Sequence, residues 1–160
     1  MIFVTTGFQI PFDRLIKAMD EIALLLEGTE IIAQIAKTNY KVNNMNALDF
    51  VLPADFNNYI SKAELIVSHA GMGTIISTLV KEKPIIVMPR LKKYGEVTTD
   101  HQLATVRHFE KQKFVYVAYN ELELKEKVFN ILNGDLKPLH KIGKYASDQL
   151  ISSLRSFILS

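Results

Sequence analysis

The sequence predicts an α/β domain built on a mostly parallel β-sheet with helices on both faces. Short apolar runs alternate along the chain with longer segments whose apolar residues recur at helical spacing. In the clearest unit, residues 65–88, a strand, a tight glycine turn, a helix and a second strand follow one another. Such a unit implies two parallel strands joined by a crossover, and its repetition along the chain indicates the fold class.

Six apolar runs have the length of strands. The first ends before Gly7, as a buried strand of a parallel sheet does. The fifth ends at Pro89, because proline cannot donate to a sheet ladder. The runs are short and rich in β-branched residues, which favours strands over helices. The predicted strands cover residues 2–5, 30–35, 48–52, 65–68, 84–88 and 114–117.

The segments between these runs have helical periodicity. In the first of them, apolar side chains recur every three or four positions, which leaves Arg14 and Asp20 on the opposite, polar face. Asp55 and Asp100 are expected to cap helices, since a carboxylate can accept bonds from the free N–H groups at a helix start. The predicted helices cover residues 12–23, 55–60, 75–81, 100–111, 121–132 and 142–158.

Composition limits the classes of function. The chain of 160 residues suits one domain, which we take as residues 1–160. Its 19 basic and 17 acidic side chains give a net charge of +2, so no nucleic-acid partner is expected. The absence of cysteine excludes disulfides and thiolate catalysis. No apolar run reaches the roughly 20 residues of a membrane span, and no secretory signal is evident, so a cytoplasmic location is expected.

The turn after the fourth strand carries the strongest chemical signal. It reads His69-Ala70-Gly71-Met72-Gly73-Thr74 and leads into a helix whose first N–H groups have no partner within it. Together with the helix dipole, these groups suit an anion such as phosphate. Gly71 and Gly73 permit a close approach, and His69 and Thr74 add donors. Alternatively, the glycines only permit a sharp turn. The turn matches neither a P-loop nor a GxGxxG dinucleotide motif.

A second polar segment follows the neighbouring strand and is therefore expected to face the same crevice. Residues 89–102 contain Glu96, His101 and Gln102. Glu96 and Gln102 beside a phosphate site can hydrogen-bond the hydroxyls of a ribose or a sugar. The alternative is a solvated loop in which Asp100 caps the next helix.

At these residues the sequence resembles the C-terminal domain of glycosyltransferase family 28. More narrowly, it is similar to stand-alone proteins of bacterial exopolysaccharide and capsule clusters, and to the catalytic subunit of the eukaryotic two-chain transferase that acts on a dolichol-linked oligosaccharide. The resemblance implies a Rossmann-like sheet that forms the single donor lobe of a GT-B glycosyltransferase. It rests on residues 4–7, 12–15, 33–35, 68–74, 83–90, 96 and 100–102.

The resemblance also implies roles for individual residues. The turn holds the diphosphate of a UDP-sugar, and the second segment lines the ribose and the sugar. Glu96 is the candidate general base, although the base can lie on a partner, and His69 is the other candidate catalytic group. The expected UDP-sugar-binding residues are Thr6, Gly7, Gln34, His69, Gly71, Met72, Gly73, Thr74, Ser77, Arg90, Glu96, His101 and Gln102.

Three positions depart from the family pattern. Ser77 stands where relatives often have a ribose-binding Glu, so the ribose contact would fall to Glu96 or Gln102. Ala36 replaces a usual glycine and narrows the approach of the base. Val97 replaces a frequent His, so any proton-transfer role of that His does not carry over.

The activity implied is inverting transfer of a hexose-type sugar from a UDP-sugar to a saccharide acceptor, and the resemblance implies that this acceptor is lipid-linked. No Asp-x-Asp motif is present, so the transfer is expected to be metal-independent, and no cofactor is expected because the UDP-sugar is a substrate. A chain of this length supplies one lobe only, which implies a membrane-anchored acceptor-lobe partner and a location at the inner membrane face. The helix predicted over residues 142–158 either docks on that partner or packs on its own domain.

Three alternatives remain open at this point. The first is a nucleotide-sugar-binding subunit that leaves the chemistry to its partner. The second is a sugar-nucleotide epimerase-like protein, which would need a chain of about twice this length. The third is a flavodoxin-like or receiver domain; a receiver needs an acidic cluster after its first strand, and Thr5-Thr6-Gly7 supplies none.

Overall fold

A computed structural model describes residues 1–7, 9–136, 139, 142–143 and 148–159 of the chain. Strands and helices alternate, as the sequence predicts, and a short 3₁₀ turn spans Lys92–Tyr94. The strands are β1 (Ile2–Thr5), β2 (Ile31–Gln34), β3 (Asn46–Leu48), β4 (Leu65–His69), β5 (Ile85–Met88) and β6 (Tyr116–Val117). The helices are α1 (Asp13–Ala23), α2 (Pro53–Lys62), α3 (Met72–Val80), α4 (His101–Lys111), α5 (Glu121–Leu132) and α6 (Asp148–Leu159).

Within the described ranges, six strands form one sheet in the order β3-β2-β1-β4-β5-β6, and every neighbouring pair is parallel. The predicted Rossmann-like α/β fold is confirmed. The strand order reverses at β1, with β2 on one side of it and β4 on the other. In parallel sheets a crevice forms at such a reversal, beyond the carboxyl ends of the strands. The ends of β1 and β4 therefore mark the place for a ligand site.

The core lies on both faces of the sheet, because successive side chains of a strand point to opposite sides. Val4 packs in a buried cluster with residues of α1 and α5, including Leu15 and Leu124. Phe3 points the other way and stacks on Tyr59 of α2, with ring centroids 5.3 Å apart. Both faces of β1 are thus covered, which explains its continuous apolar sequence.

Several element boundaries differ from the predicted ones. β3 ends at Leu48, where the predicted strand began, because the chain then turns into α2. α2 begins at Pro53, a residue suited to a first helical turn, so the prediction that Asp55 caps this helix is wrong. α3 begins at Met72 rather than at residue 75. α6 begins at Asp148, later than the predicted start at residue 142.

The N-terminus of α4 also differs from the prediction. Asp100 occupies the N-cap position, but its side chain makes no cap bond to α4. Its carboxylate instead accepts the backbone N–H of Lys92, 2.9 Å away. Asp100 thus links the two ends of the segment between β5 and α4 by a hydrogen bond.

Asp20, predicted on the polar face of α1, is buried and only 1% exposed. Its carboxylate accepts the backbone N–H groups of Asn43 and Asn44, at 3.1 and 2.7 Å, and the Tyr40 hydroxyl at 3.0 Å. About two helical turns earlier, Asp13 accepts the Thr38 hydroxyl. α1 therefore holds the Asn-rich loop after β2 through two carboxylates.

Across the parts of the chain that the structure describes, no helix has the length and apolar character that crossing a bilayer requires.

Candidate functional site

The ends of β1 and β4 meet at the side chain of His69. Gly7, just beyond β1, has a φ of +73°, and a Cβ added there would lie 3.0 Å from His69 Cε1. A Cβ added at Gly71, on the other side, would overlap His69 Nε2. The imidazole therefore fills the space between two backbone segments, and only glycine leaves room for it at both positions.

His69 is neutral at physiological pH. Burial and, to a smaller extent, the charge of Arg90 lower the pKa of His69 to about 4, although a hydrogen bond with the backbone of Thr5 opposes both effects. The Ser68 hydroxyl lies 3.5 Å from Nδ1. A neutral imidazole carries one N–H donor and one acceptor nitrogen, so His69 brings no charge to the site, and its one N–H is engaged with the backbone of Thr5.

Directly beyond His69, α3 presents an open N-terminus. The first intrahelical bond runs from Ile75 N–H to the Gly71 carbonyl, 3.1 Å away. The N–H groups of Met72, Gly73 and Thr74 precede it, and no described side chain caps them. Gly73 is exposed, and no described atom lies within 4 Å of the place where its Cβ would stand. Backbone donors, helix dipole and free space together suit an anion.

A cavity of about 450 Å³ adjoins the segment that follows β5. Glu96, His101 and Gln102, the three residues predicted to line the sugar and ribose side, all line this cavity. Ile10, from the loop after β1, lines it as well. The structure thus brings these three predicted residues together and adds an apolar wall that the sequence analysis did not include.

The Glu96 carboxylate already has three hydrogen-bond donors. Arg14 binds it in a bidentate pair, with Nε 2.7 Å from Oε1 and Nη2 3.0 Å from Oε2. The backbone N–H of Leu91 donates to Oε2 at 2.8 Å. A general base must take a proton from the acceptor hydroxyl, and these contacts occupy both oxygens. The geometry favours a positioning role for Glu96, and its role as base stays a prediction.

Three of the predicted binding residues are buried beneath the site. Gln34 is 4% exposed and accepts the Thr5 hydroxyl through Oε1, at 3.1 Å. Thr6 is 1% exposed, and its hydroxyl donates to the Gln34 carbonyl. Arg90 is 2% exposed and donates to backbone carbonyls. Direct ligand contacts by these side chains stay predictions, while their observed bonds support the walls of the site.

A further cavity of about 530 Å³ lies at the end of β2, between Ala36 and Phe50. Ala36 has a φ of +51°, in the left-handed region. A non-glycine residue there costs about 1 kcal/mol, which accounts for the glycine that relatives usually have at this position. The Ala36 side chain also borders the cavity, as expected for a residue that narrows it.

A family model described as the glycosyltransferase family 28 C-terminal domain matches residues 1–153 of the chain. The chain belongs to this family. The match includes both β1 and the segment after β5, so the family 28 domain contains every predicted site residue. It confirms the resemblance that the turn and its neighbouring segment indicated.

Curated relatives match part of the family 28 domain. The UDP-N-acetylglucosamine transferase subunit ALG13 of Candida albicans is 35% identical over 85 residues, which cover 52% of this chain and 28% of the relative. The subunit of the same name from Debaryomyces hansenii is 30% identical over 103 residues, 59% of this chain and 46% of the relative. The chain thus spans less than half of the length of these two relatives.

Solved structures share the fold at low sequence identity. The solution structure of ALG13 has a TM-score of 0.58 at 19% identity and covers 96% of this chain and 93% of its own. The glycosyltransferase of kitacinnamycin has a TM-score of 0.61 at 16% identity, over 81% of this chain and 34% of that enzyme. A putative UDP-N-acetylglucosamine 2-epimerase from Listeria monocytogenes reaches 0.58 at 14%, over 82% and 36%. These likenesses confirm the fold of one GT-B lobe.

Sequence reasoning missed two residues of the family 28 site. Arg14 was placed on the polar face of α1, yet its guanidinium pairs with Glu96 and lies 4.8 Å from the Tyr94 ring centroid. Phe12, the first residue of the predicted helix, is fully buried, and its ring centroid lies 5.2 Å from the Arg14 guanidinium and 4.9 Å from that of Arg90. Helical periodicity carries no signal for such pairs, because their partners are about 80 residues away.

The buried, neutral state of His69 has a consequence for stability. Its folded pKa of about 4 lies below the ordinary 6.5, so the unfolded chain binds a proton first as the pH falls. The contribution of neutral His69 to the free energy of unfolding is therefore complete above pH 6.5 and is lost progressively towards pH 4. The free energy of unfolding falls by about 2–3 kcal/mol over this range. Urea denaturation at about pH 7.5 and about pH 5 checks this, with His69→Gln as the reference that lacks the titration.

Other groups titrate over the same range, so the informative quantity is the difference between wild type and His69→Gln. We expect wild type to lose more stability than the variant on acidification. An equal loss in both proteins would show that His69 is not held neutral.

Proposed function

We propose that this domain is the donor-binding lobe of a UDP-sugar-dependent glycosyltransferase that works with a separate acceptor-binding lobe. The observation that carries the proposal is the open N-terminus of α3 directly beside the neutral His69, at the strand-order reversal. The relatives named as UDP-N-acetylglucosamine transferase subunits support a UDP-sugar as the donor.

The proposed reaction displaces UDP from the anomeric carbon of a hexose-type sugar by an acceptor hydroxyl, with inversion. Negative charge develops on the departing diphosphate. The N–H groups of Met72, Gly73 and Thr74 and the dipole of α3 would stabilise that charge without reorganising. Donors of this kind make a metal-independent transfer chemically reasonable.

We infer the positions of the sugar, the ribose and the base from the two cavities. We place the sugar in the cavity that Glu96, His101 and Gln102 line. The ribose would contact Gln102 and the half-buried Ser77, which stands one turn into α3. The base would approach the cavity beside Ala36.

Among the groups that the reaction needs, the general base is the one for which this chain has the weakest candidate. Glu96 is the candidate within the chain, but Arg14 and Leu91 occupy its carboxylate. We therefore favour a base on the acceptor lobe. The same observation favours the second candidate function, a nucleotide-sugar-binding subunit whose partner performs the chemistry. The epimerase-like alternative is less favoured, since the family model that matches the chain is that of a glycosyltransferase domain.

The partner we propose is a membrane-anchored acceptor-lobe protein that presents a lipid-linked saccharide, in exopolysaccharide or capsule synthesis. The word subunit in the names of the relatives supports a partner of some kind. The domain would then lie in the cytoplasm at the inner membrane face. α6 stays the proposed docking element; Ile158 is 76% exposed, and the side chains of Leu150 and Leu154 lie outside the described residues.

Ligand-observed NMR on the purified chain tests the proposal. The panel is UDP, UMP, GDP, ADP, UDP-glucose and UDP-N-acetylglucosamine. We expect saturation transfer to UDP and to UDP-sugars and none to the purine nucleotides. Binding of GDP or ADP in preference to UDP would contradict the uridine assignment. Transfer assays in the complex with the partner, comparing wild type with Glu96→Gln, then separate the catalytic from the non-catalytic candidate.

A further inference from the structure

Arg90 joins both walls of the cavity proposed for the sugar. Its guanidinium Nη2 donates to the Ile10 carbonyl at 2.5 Å and to the Thr6 carbonyl at 2.8 Å. Its backbone N–H donates to Gln102 Oε1 at 3.0 Å. Ile10 and Gln102 both line the cavity, one from the loop after β1 and one from α4. A single buried residue thus connects segments about 90 positions apart in the chain.

The guanidinium itself is enclosed rather than exposed to a ligand. Arg90 is 2% exposed, and its charge lies 4.9 Å from the centroid of the Phe12 ring. Among the described residues, Arg90 Nε has no hydrogen-bond partner, and no carboxylate lies within salt-bridge distance of the guanidinium.

A buried cation of this kind is expensive as a packing element. Burial lowers the pKa of Arg90 to about 10, which leaves it charged at neutral pH. Removing such a charge from water costs several kcal/mol, and an apolar side chain of similar volume often serves packing as well or better. What an apolar residue cannot supply is the pair of donors that reach two carbonyls at once. The geometry of those two bonds is therefore what distinguishes arginine here.

We propose that Arg90 is a positioning residue that sets the distance between Ile10 and Gln102 and thereby the selectivity of the cavity for UDP-sugar over UDP. The inference rests on the proposed function, because it assigns that cavity to the sugar. The bond from Arg90 to the Thr6 carbonyl also bears on the position of the next residue, Gly7, against which His69 packs. The hydrogen bonds of the Arg90 side chain go to Thr6 and Ile10 and to none of the backbone groups at the start of α3.

The test compares Arg90→Lys and Arg90→Met with wild type. Lysine keeps the positive charge, but its ammonium group ends one bond short of the position of Nη2, which alone reaches both carbonyls in wild type. Methionine removes the charge as well. Arg107→Lys, an exposed position on α4, is the matched control. Thermal unfolding and dispersed amide spectra establish that each variant is folded, and Arg90→Lys is the milder change should the methionine variant not fold.

The first readout needs no ligand. In amide correlation spectra, the Gly7 and Ile10 signals are expected to shift in Arg90→Lys, whereas the Gln102 side-chain amide keeps its position because its partner is a backbone N–H. Unchanged Gly7 and Ile10 signals would overturn the positioning role, whatever the domain binds.

The second readout is the ratio of the dissociation constants of UDP and the best-binding UDP-sugar. We expect this ratio to fall about tenfold in both Arg90 variants, the loss that one or two misplaced hydrogen bonds produce, with the affinity for UDP itself nearly unchanged. A ratio kept in Arg90→Lys, or an equal loss of affinity for UDP and UDP-sugar, would overturn the proposal. Failure of wild type to bind any uridine nucleotide would contradict the proposed function instead, while the ligand-free spectra still decide the position of Ile10.

Discussion

Replacing Gly73 by valine is expected to lower the affinity for UDP and UDP-sugars by about 100-fold or more while leaving the fold intact. Gly73 lies in the first turn of α3, between the N–H groups of Met72 and Thr74. A branched side chain there would cover the open helix start and exclude a phosphate from its donors. The affinity loss corresponds to about two charge-assisted hydrogen bonds.

The stability of the free protein should not follow the loss of affinity. No described atom lies within 4 Å of the Cβ position of Gly73, and valine is no worse than glycine within a helix. We expect the free energy of unfolding to change by less than about 1 kcal/mol. Titration calorimetry with UDP and urea denaturation of the same sample measure the two quantities.

Two further variants of the α3 region serve as comparisons for Gly73→Val. Gly71→Ala is expected to lower both stability and affinity, because its Cβ would overlap His69. Val80→Ala, at the other end of α3, should leave UDP binding unchanged. Wild-type affinity for UDP in Gly73→Val would mean that the diphosphate does not bind at the start of α3.

Replacing Asp20 by alanine is expected to lower the free energy of unfolding by about 3 kcal/mol. The buried carboxylate accepts two backbone N–H groups and the Tyr40 hydroxyl, and its removal leaves these donors without their acceptor. Each unsatisfied buried donor costs about 1–3 kcal/mol, and water entering the vacated space recovers part of that sum. Urea denaturation near neutral pH measures the change.

Asp20→Asn is the matched variant, since it keeps the size of the side chain and one carbonyl oxygen. It should lose less stability than Asp20→Ala, because that oxygen still accepts from the loop. Asp13→Ala, which releases the Thr38 hydroxyl from a more exposed site, is expected to have a smaller effect than either. A loss below about 1 kcal/mol in Asp20→Ala would show that the loop after β2 is held by other contacts.

The predictions for Gly73 and Asp20 concern two different parts of the proposed site, the phosphate-binding turn and the loop after β2. Gly73 acts at the proposed phosphate site itself, and its identity as a site residue followed from the pattern of the turn. Asp20 acts on the loop that carries Tyr40, one of the residues lining the cavity beside Ala36. A change in base recognition on altering Asp20 would therefore reflect the loop and not a direct contact.

The sequence by itself determined the fold class and predicted the place of the proposed site. Strand runs and helical periodicity report on burial within a few residues, so β1, β4, β5 and α5 were predicted within about one residue of their observed bounds. The turn at His69 was predicted for the same reason: a strand, two glycines and a helix are neighbours in sequence as well as in space. Boundaries that depend on packing, such as the ends of β3 and α2, were predicted less well.

Only the tertiary structure decided which polar side chains form hydrogen bonds and ion pairs beneath the proposed site. Periodicity places a charged residue on the solvent side, because charges are rarely buried without partners. Arg14 and Arg90 find theirs about 80 residues away, in Glu96 and in the carbonyls of Thr6 and Ile10. The partner of Asp20 is the backbone of a loop. Such pairings form when the sheet brings distant segments together, and no local pattern encodes them.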